Sequence, residues 1–179
     1  MIHNEDEAEM LIQWFAYLVQ QPYERPMFSP LIISETRGVG KDMMTDIFCK
    51  IMGHQYAKKS SIETLSKESS WGDVFYNSKL ITVSECGSST DRFTVGNEIK
   101  DAITTVNKTM NLKHGKVVSS RVYAGIIFYS NSLSPFRLDK GDRRFFVTRC
   151  DWTKKDADEY KSEGYFTKLA SFYEDPIHL

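Results

Sequence analysis

Apolar positions change their period along this chain, and each change predicts an element. Behind Asn4-Glu5-Asp6-Glu7, the residues Met10, Leu11, Trp14, Phe15, Leu18 and Val19 recur at helical spacing. Asn4 can cap this helix and the acids suit the positive end of its dipole, so a helix is predicted over about 4–21, ended by Pro22 and Pro26. Met27-Phe28-Ser29-Pro30-Leu31-Ile32-Ile33 is apolar at consecutive rather than alternate positions, the pattern of a strand covered on both faces in a parallel sheet. A second helix, with Met44, Ile47, Phe48 and Ile51 on one side, stops at Gly53. Lys79 to Val83, Val122 to Tyr129 and Phe145 to Thr148 read as three more strands. Residues Lys154 to Asp175 read as a helical tail with Tyr165, Phe166, Leu169 and Phe172 inward. Strands interleaved with helices predict a three-layer α/β domain with a mostly parallel central sheet.

The 179 residues suit a single domain over 1–179, with a core over about 27–150 and a tail over about 154–175. With 41% apolar residues the chain can build a core, which excludes wholesale disorder. A net charge of −1 excludes a uniformly basic coat, so a nucleic-acid partner would be met by a local patch. No apolar run approaches the roughly 20 residues of a membrane span, and the acidic start is unlike a signal peptide. Cys49, Cys86 and Cys150 are widely spaced and suggest reduced cytosolic thiols rather than a zinc site.

Candidate chemistry centres on Ile33-Ser34-Glu35-Thr36-Arg37-Gly38-Val39-Gly40-Lys41-Asp42-Met43, a strand, a tight turn and a helix start. Glycines let successive backbone N–H groups converge on phosphate oxygens, and the helix N-terminus and a lysine supply positive charge. Gly38, Gly40 and Lys41 provide these features, and Arg37 to Met43 are the candidate nucleotide-binding residues. Against the pattern GxxxxGK[ST], Glu35 replaces the first glycine and Asp42 the magnesium-binding hydroxyl. The strand from Lys79 ends in Ser84-Glu85, where two acids are usual. Either Asp42 and Ser84 have exchanged roles around one Mg²⁺, with Glu85 beside them, or both changes are losses.

Together these residues resemble the superfamily 3 helicases of the AAA+ ATPases, in particular the helicase part of phage and plasmid primase-helicases. The likeness runs from about Glu9 to Val147. It comprises Arg37 to Lys41, Leu80 to Glu85, Lys100 to Arg121, Ile126 to Asn131, and Asp139 to Val147. The resemblance implies a P-loop NTPase fold with an inserted β-hairpin, and ATP and Mg²⁺ as ligands. Lys41 would neutralise phosphate charge, Glu85 would orient the attacking water, and Asn131 would sense the γ-phosphate. Arg143 or Arg144 would reach the ATP of the next subunit in a ring, commonly a hexamer.

Residues 102–138 hold no acid but five cations, Lys108, Lys113, Lys116, Arg121 and Arg137. Asn111 to Val118 reads as a hairpin turning at His114-Gly115, with Lys113, His114 and Lys116 as candidates for contact with single-stranded DNA. The expectation is therefore an ATP-driven replicative helicase core, cut from a parent with a linked primase and acting in the cytoplasm of a bacterial host. The alternatives are a ring-forming DNA-binding scaffold or loader with a decayed ATP site, and a small nucleoside kinase. The kinase would need an arginine-rich lid segment, which this sequence does not display.

Overall fold

The computed structural model describes residues 2–84, 86, 92–111, 117–135 and 138–175. In β1 (Ser29–Ile33), Leu31 and Ile33 face one apolar cluster while Ile32 faces another. The same split divides β3 (Leu80–Val83) and β6 (Gly125–Ser130), where Ile81, Val83, Ile126 and Phe128 face one way and Leu80, Ile127 and Tyr129 the other. Covering both faces is what makes every position of these strands apolar or buried, as their runs predict. With β2 (Ala57–Ser60) and β7 (Phe145–Arg149) they form a five-stranded sheet in the order β2-β3-β6-β1-β7, parallel at every pairing. The chain is thus an α/β domain with a parallel central sheet.

Helices complete the layers. On one face lie α1 (Glu5–Gln20), which contributes Leu11, Trp14 and Leu18, and α2 (Lys41–Met52), which contributes Phe48. The Asn4 side chain accepts from the N–H groups of Asp6 and Glu7, which fixes the start of α1 as its sequence suggests. Trp14 donates its indole N–H to the Phe28 carbonyl at 3.1 Å, and a Cβ at Gly125 would lie 2.8 Å from the same ring. Glycine at the head of β6 is therefore what lets α1 lie close against the sheet.

The opposite face is covered by α3 (Ile62–Leu65), α4 (Trp71–Phe75) and α5 (Arg92–Thr104), through residues such as Leu65, Trp71 and Ile99. The buried Arg25 guanidinium donates to the carbonyls of Thr105 at 2.8 Å and Ala102 at 3.2 Å. It satisfies open acceptors at the end of α5, where a cation is also favoured by the helix dipole.

Between α5 and β6, β4 (Asn107–Asn111) and β5 (Val117–Arg121) pair antiparallel as a separate two-stranded sheet. The pair Asn111–Val117 falls within the segment Asn111–Val118 expected as the hairpin, the arms run further back to Asn107 and on to Arg121, and residues 112–116 lie outside the described residues. Met110 is buried, the Lys108 ammonium sits 4.7 Å from the Trp71 ring centroid, and Arg121 pairs with Glu24 at 3.1 Å. These contacts fasten the hairpin root to the body.

The tail departs from its expected form. It is two helices, α6 (Lys154–Ser162) and α7 (Tyr165–Glu174), separated by Gly164 at φ +69°. Tyr165 and Phe172, expected to face inward, are exposed. All four residues of the expected stripe lie on α7, and only Phe166 and Leu169 of them are half-buried. Among the described residues no helix is long and apolar enough to cross a membrane.

Leu18 is fully buried between α1 and the sheet, within 3.0 Å of where a Gly125 Cβ would stand. Leu18→Ala is expected to lower unfolding free energy by about 2–5 kcal/mol through lost burial and the cavity left behind. Urea denaturation followed by circular dichroism measures this as a lower midpoint at unchanged slope.

Candidate functional site

The turn between β1 and α2 stands at the carboxyl ends of the parallel strands, where such sheets place their ligands. Gly38 and Gly40 both adopt positive φ, +77° and +81°, conformations that a side chain would strain. Gly40 is also the residue before the first turn of α2, so its neighbours' N–H groups lie at the positive end of that helix. Val39 points the other way. Its side chain is fully buried in a cluster with Cys150 and Trp152, so any part it takes at the site is through its backbone.

Lys41 extends back across the strand ends. Its Nζ donates to Asn131 Oδ1 at 2.7 Å and makes longer contacts with the carbonyls of Ser130 at 3.4 Å and Ser34 at 3.5 Å. Partial burial holds the ammonium below its ordinary pKa, against the opposing influence of Cys150 and Asp42. Asn131 is carried by a fixed turn. The Ser130 hydroxyl donates to the carbonyls of Cys86 at 2.7 Å and Ser132 at 3.1 Å, and accepts from the Ser132 N–H at 2.9 Å. Below this turn, the buried Tyr129 hydroxyl meets Thr45 of α2 at 3.1 Å, joining the lysine-bearing helix to the asparagine-bearing strand.

A cavity of about 240 Å³ opens at this point, bordered by Arg37, Gly38, Lys41, Asp42, Ser84 and Asn131. Six residues singled out in the sequence, from three separate segments, thus border one space. Met43 lies on α2 but does not border it. Glu85 lies outside the described residues, as do Lys113, His114 and Lys116. Among the described residues no three His, Cys, Asp or Glu side chains converge as a metal cluster. A donor pair such as Asp42 and Ser84 nonetheless suits Mg²⁺, which commonly takes one or two protein ligands and completes its shell with phosphate and water. On the other side of the loop a second cavity, about 280 Å³, is bordered by Glu35, Thr36, Leu133, Asp151 and Trp152.

The two arginines lie elsewhere. They precede β7, whose first residue pairs with Ser29, so they stand on the order of 15 Å along the sheet from the loop. Arg144 is engaged within the chain: its N–H donates to Asp142 at 3.0 Å and its Nε approaches the same carboxylate at 3.9 Å. Asp142 also meets Lys100 at 3.0 Å, and Lys100 bonds Asp139 at 2.7 Å. Arg143 is exposed. Residue spacing did not reveal Tyr129, Ser130 or Lys100 as supports, because each has a partner far along the chain, in Thr45, Cys86 and Asp139 respectively. The only local signal was the position of Ser130 directly before Asn131.

The fold defines the class: an α/β domain with a parallel sheet and a glycine–lysine turn at its carboxyl edge. By sequence, the chain belongs to the family of unknown function DUF5906, whose profile matches residues 32–144. It is 26% identical over 158 residues to the DNA primase-polymerase of Nitratiruptor phage NrS-1, across 87% of this chain and 21% of that protein. The chain therefore spans about a fifth of the length of that relative. An A-form apo structure of the NrS-1 C-terminal region is similar at a TM-score of 0.68 and 24% identity, over 90% of this chain and 40% of that one. A second apo structure of the same region gives 0.70 at 22% identity, over 90% and 41%.

These findings correct the functional expectation. The relative that matches most of the chain is named a primase-polymerase, so neither the ATP-driven helicase nor the ring-forming scaffold with a decayed ATP site is retained. The physical reason is that a glycine–lysine turn before a helix specifies where phosphate oxygens can be met. It does not specify the work that follows.

Burial opposes charge on Asp142, but the Arg144 N–H, the Lys100 ammonium and the Arg144 charge outweigh it and hold the carboxyl below its ordinary pKa. A carboxyl depressed on folding stabilises above its unfolded pKa of about 4, and that stabilisation is lost as pH falls through the lower folded value. Asp142→Asn should cost about 1 kcal/mol at neutral pH, since the amide matches Lys100 and Arg144 less well than the carboxylate while Lys100 keeps its bond to Asp139. Urea midpoints of this variant should fall less between about pH 5 and pH 3 than those of the unaltered chain.

Proposed function

We propose that this chain is a nucleoside-triphosphate-binding domain of a primase-polymerase-type DNA replication protein. Its site would hold the phosphates of a triphosphate such as ATP, with Mg²⁺, beside a single-stranded DNA template. The observation that carries the reading is the Lys41 ammonium held 2.7 Å from the Asn131 amide, over a turn with two left-handed glycines at the sheet's carboxyl edge. The similarity to the phage NrS-1 primase-polymerase over most of the chain supports the replication role. The phage source of that relative supports the cytoplasm of a bacterial host as the place of action.

In this reading Lys41 exchanges its contact with Asn131 for phosphate oxygens, and the freed amide donates its N–H to the terminal phosphate. The turn's amides and the α2 N-terminus hold the inner phosphates. Asp42 and Ser84 would hold Mg²⁺, which offsets the charge of the outer oxygens, and Glu85 follows directly on from Ser84 in the chain. The neighbouring cavity is lined mostly by polar groups, among them Glu35, Thr36, Arg149 and Asp151, with Leu133 and Trp152 as apolar surface, and would take the ribose and base. Lys113, His114 and Lys116 follow β4 in sequence and are suited to DNA phosphates, which they would track without reading bases.

Titration calorimetry with ATP and Mg²⁺ tests the phosphate site. Lys41→Ala should weaken binding at least tenfold, about 1.4 kcal/mol, and Asp42→Ala should weaken it with Mg²⁺ but not without. Equal affinity of Lys41→Ala and the unaltered chain would overturn the assignment. For the DNA contacts, a double Lys113→Ala/Lys116→Ala variant should bind a single-stranded oligonucleotide more weakly. Its log–log salt slope should be shallower by about 1.4, at roughly 0.7 per lost phosphate contact.

A further inference from the structure

The phosphate loop is gripped from outside the sheet as well as from within it. A Cβ at Gly40 would lie 2.6 Å from Phe166 Cε1, so the ring of an α7 residue rests against the backbone just before Lys41. Val39, one residue earlier, is fully buried among Cys150, Trp152 and Ala157, with Tyr160 and Phe166 packed against the same group. Trp152 stacks on Tyr160 at 4.3 Å between centroids, and Phe166 meets the Trp152 ring edge-on at 6.4 Å. Two consecutive loop residues are therefore bound by aromatic contacts to the end of β7, to α6 and to the first turn of α7.

The helix that supplies Phe166 is otherwise lightly held. None of its residues is fully buried, and it follows the left-handed Gly164. Elements with little buried surface open at low cost, so α7 docks and undocks more easily than the sheet unfolds. The loop has the opposite need. Its two glycines are conformationally permissive, and their N–H groups can converge on phosphate only if that freedom is suppressed. A ring packed on Gly40 suppresses it.

We propose that Phe166 is a positioning residue for the phosphate loop, so that docking of α7 and binding of a triphosphate reinforce each other. The proposal rests on the reading of this loop as a triphosphate site. Linkage is reciprocal: if docked α7 raises triphosphate affinity, the bound triphosphate must stabilise docked α7 by the same factor.

The experiment uses the full chain with ATP and Mg²⁺. Calorimetry should show Phe166→Ala binding ATP about tenfold more weakly, within the usual range of such couplings, while Phe166→Leu stays within about threefold of the unaltered chain. ATP should slow amide hydrogen exchange across residues 165–174 of the unaltered chain, and should not do so in Lys41→Ala. A purely structural role for Phe166 would lower the thermal midpoint while leaving both ATP affinity and the exchange response unmoved, and that result overturns the proposal. If the unaltered chain binds ATP through Lys41 but exchange in α7 does not respond, the α7 coupling alone fails. If the unaltered chain binds no ATP, the phosphate site and the coupling fail together. Should Phe166→Ala not fold, Phe166→Leu and the exchange response decide.

Discussion

β1 has no free edge. It is paired in parallel with β6 on one side and with β7 on the other, and its residues are buried along its whole length. Everything at the carboxyl edge depends on that double clamp. The Ser34 N–H bonds the Ser130 carbonyl at 2.9 Å, and the Cys150 N–H bonds the Ile33 carbonyl at 2.8 Å. The point where the chain leaves β1 is thus tied to both neighbours before the turn begins. A loop of permissive glycines can hold a defined shape only when its entry and exit are fixed, and here β1 fixes the entry while α2, packed through Phe48, fixes the exit.

Charge is divided between the two ends of the sheet. At the carboxyl edge a half-buried lysine faces an amide and two carbonyls, with no carboxylate bonded to the cation among the described residues. At the amino edge, Lys100, Asp139, Asp142 and Arg144 satisfy one another, and Lys79 donates to the carbonyls of Gln21, Pro22 and Glu24. The first pattern sets a cation against neutral polar groups. The second consumes its charges in holding elements together, which is why residues of similar type carry different meanings at the two edges.

The sequence made much of the fold legible where local pattern and burial agree. α1 and α2, and the strands around Ile32, Ile81, Phe128 and Val147, follow from apolar spacing and caps alone. β2 did not, because Ala57-Lys58-Lys59-Ser60 is a short, polar strand at the sheet edge with no apolar run to mark it. The helices α3 and α4 were missed for a related reason: with four and five residues, neither is long enough to show a period. Lys41 and Asn131 are ninety residues apart, and only the pairing of β1 with β6 brings them together. The same limit hid Phe166, whose contact with Gly40 no spacing rule encodes. The functional expectation failed at another level, since motifs that hold phosphate are shared by machines that use it differently.

Among the described residues the β4–β5 hairpin shares no ladder with the main sheet, and it leaves and rejoins the body between α5 and β6. Its root is closed by the Val122 N–H bonded to the Val106 carbonyl at 2.8 Å, so the two ends of the excursion are side by side. An excursion with abutting ends can be lengthened, shortened or exchanged without changing the order of the five parallel strands. Whatever such an appendage touches is thereby set apart from the scaffold beneath, which keeps its shape when the appendage is rewritten.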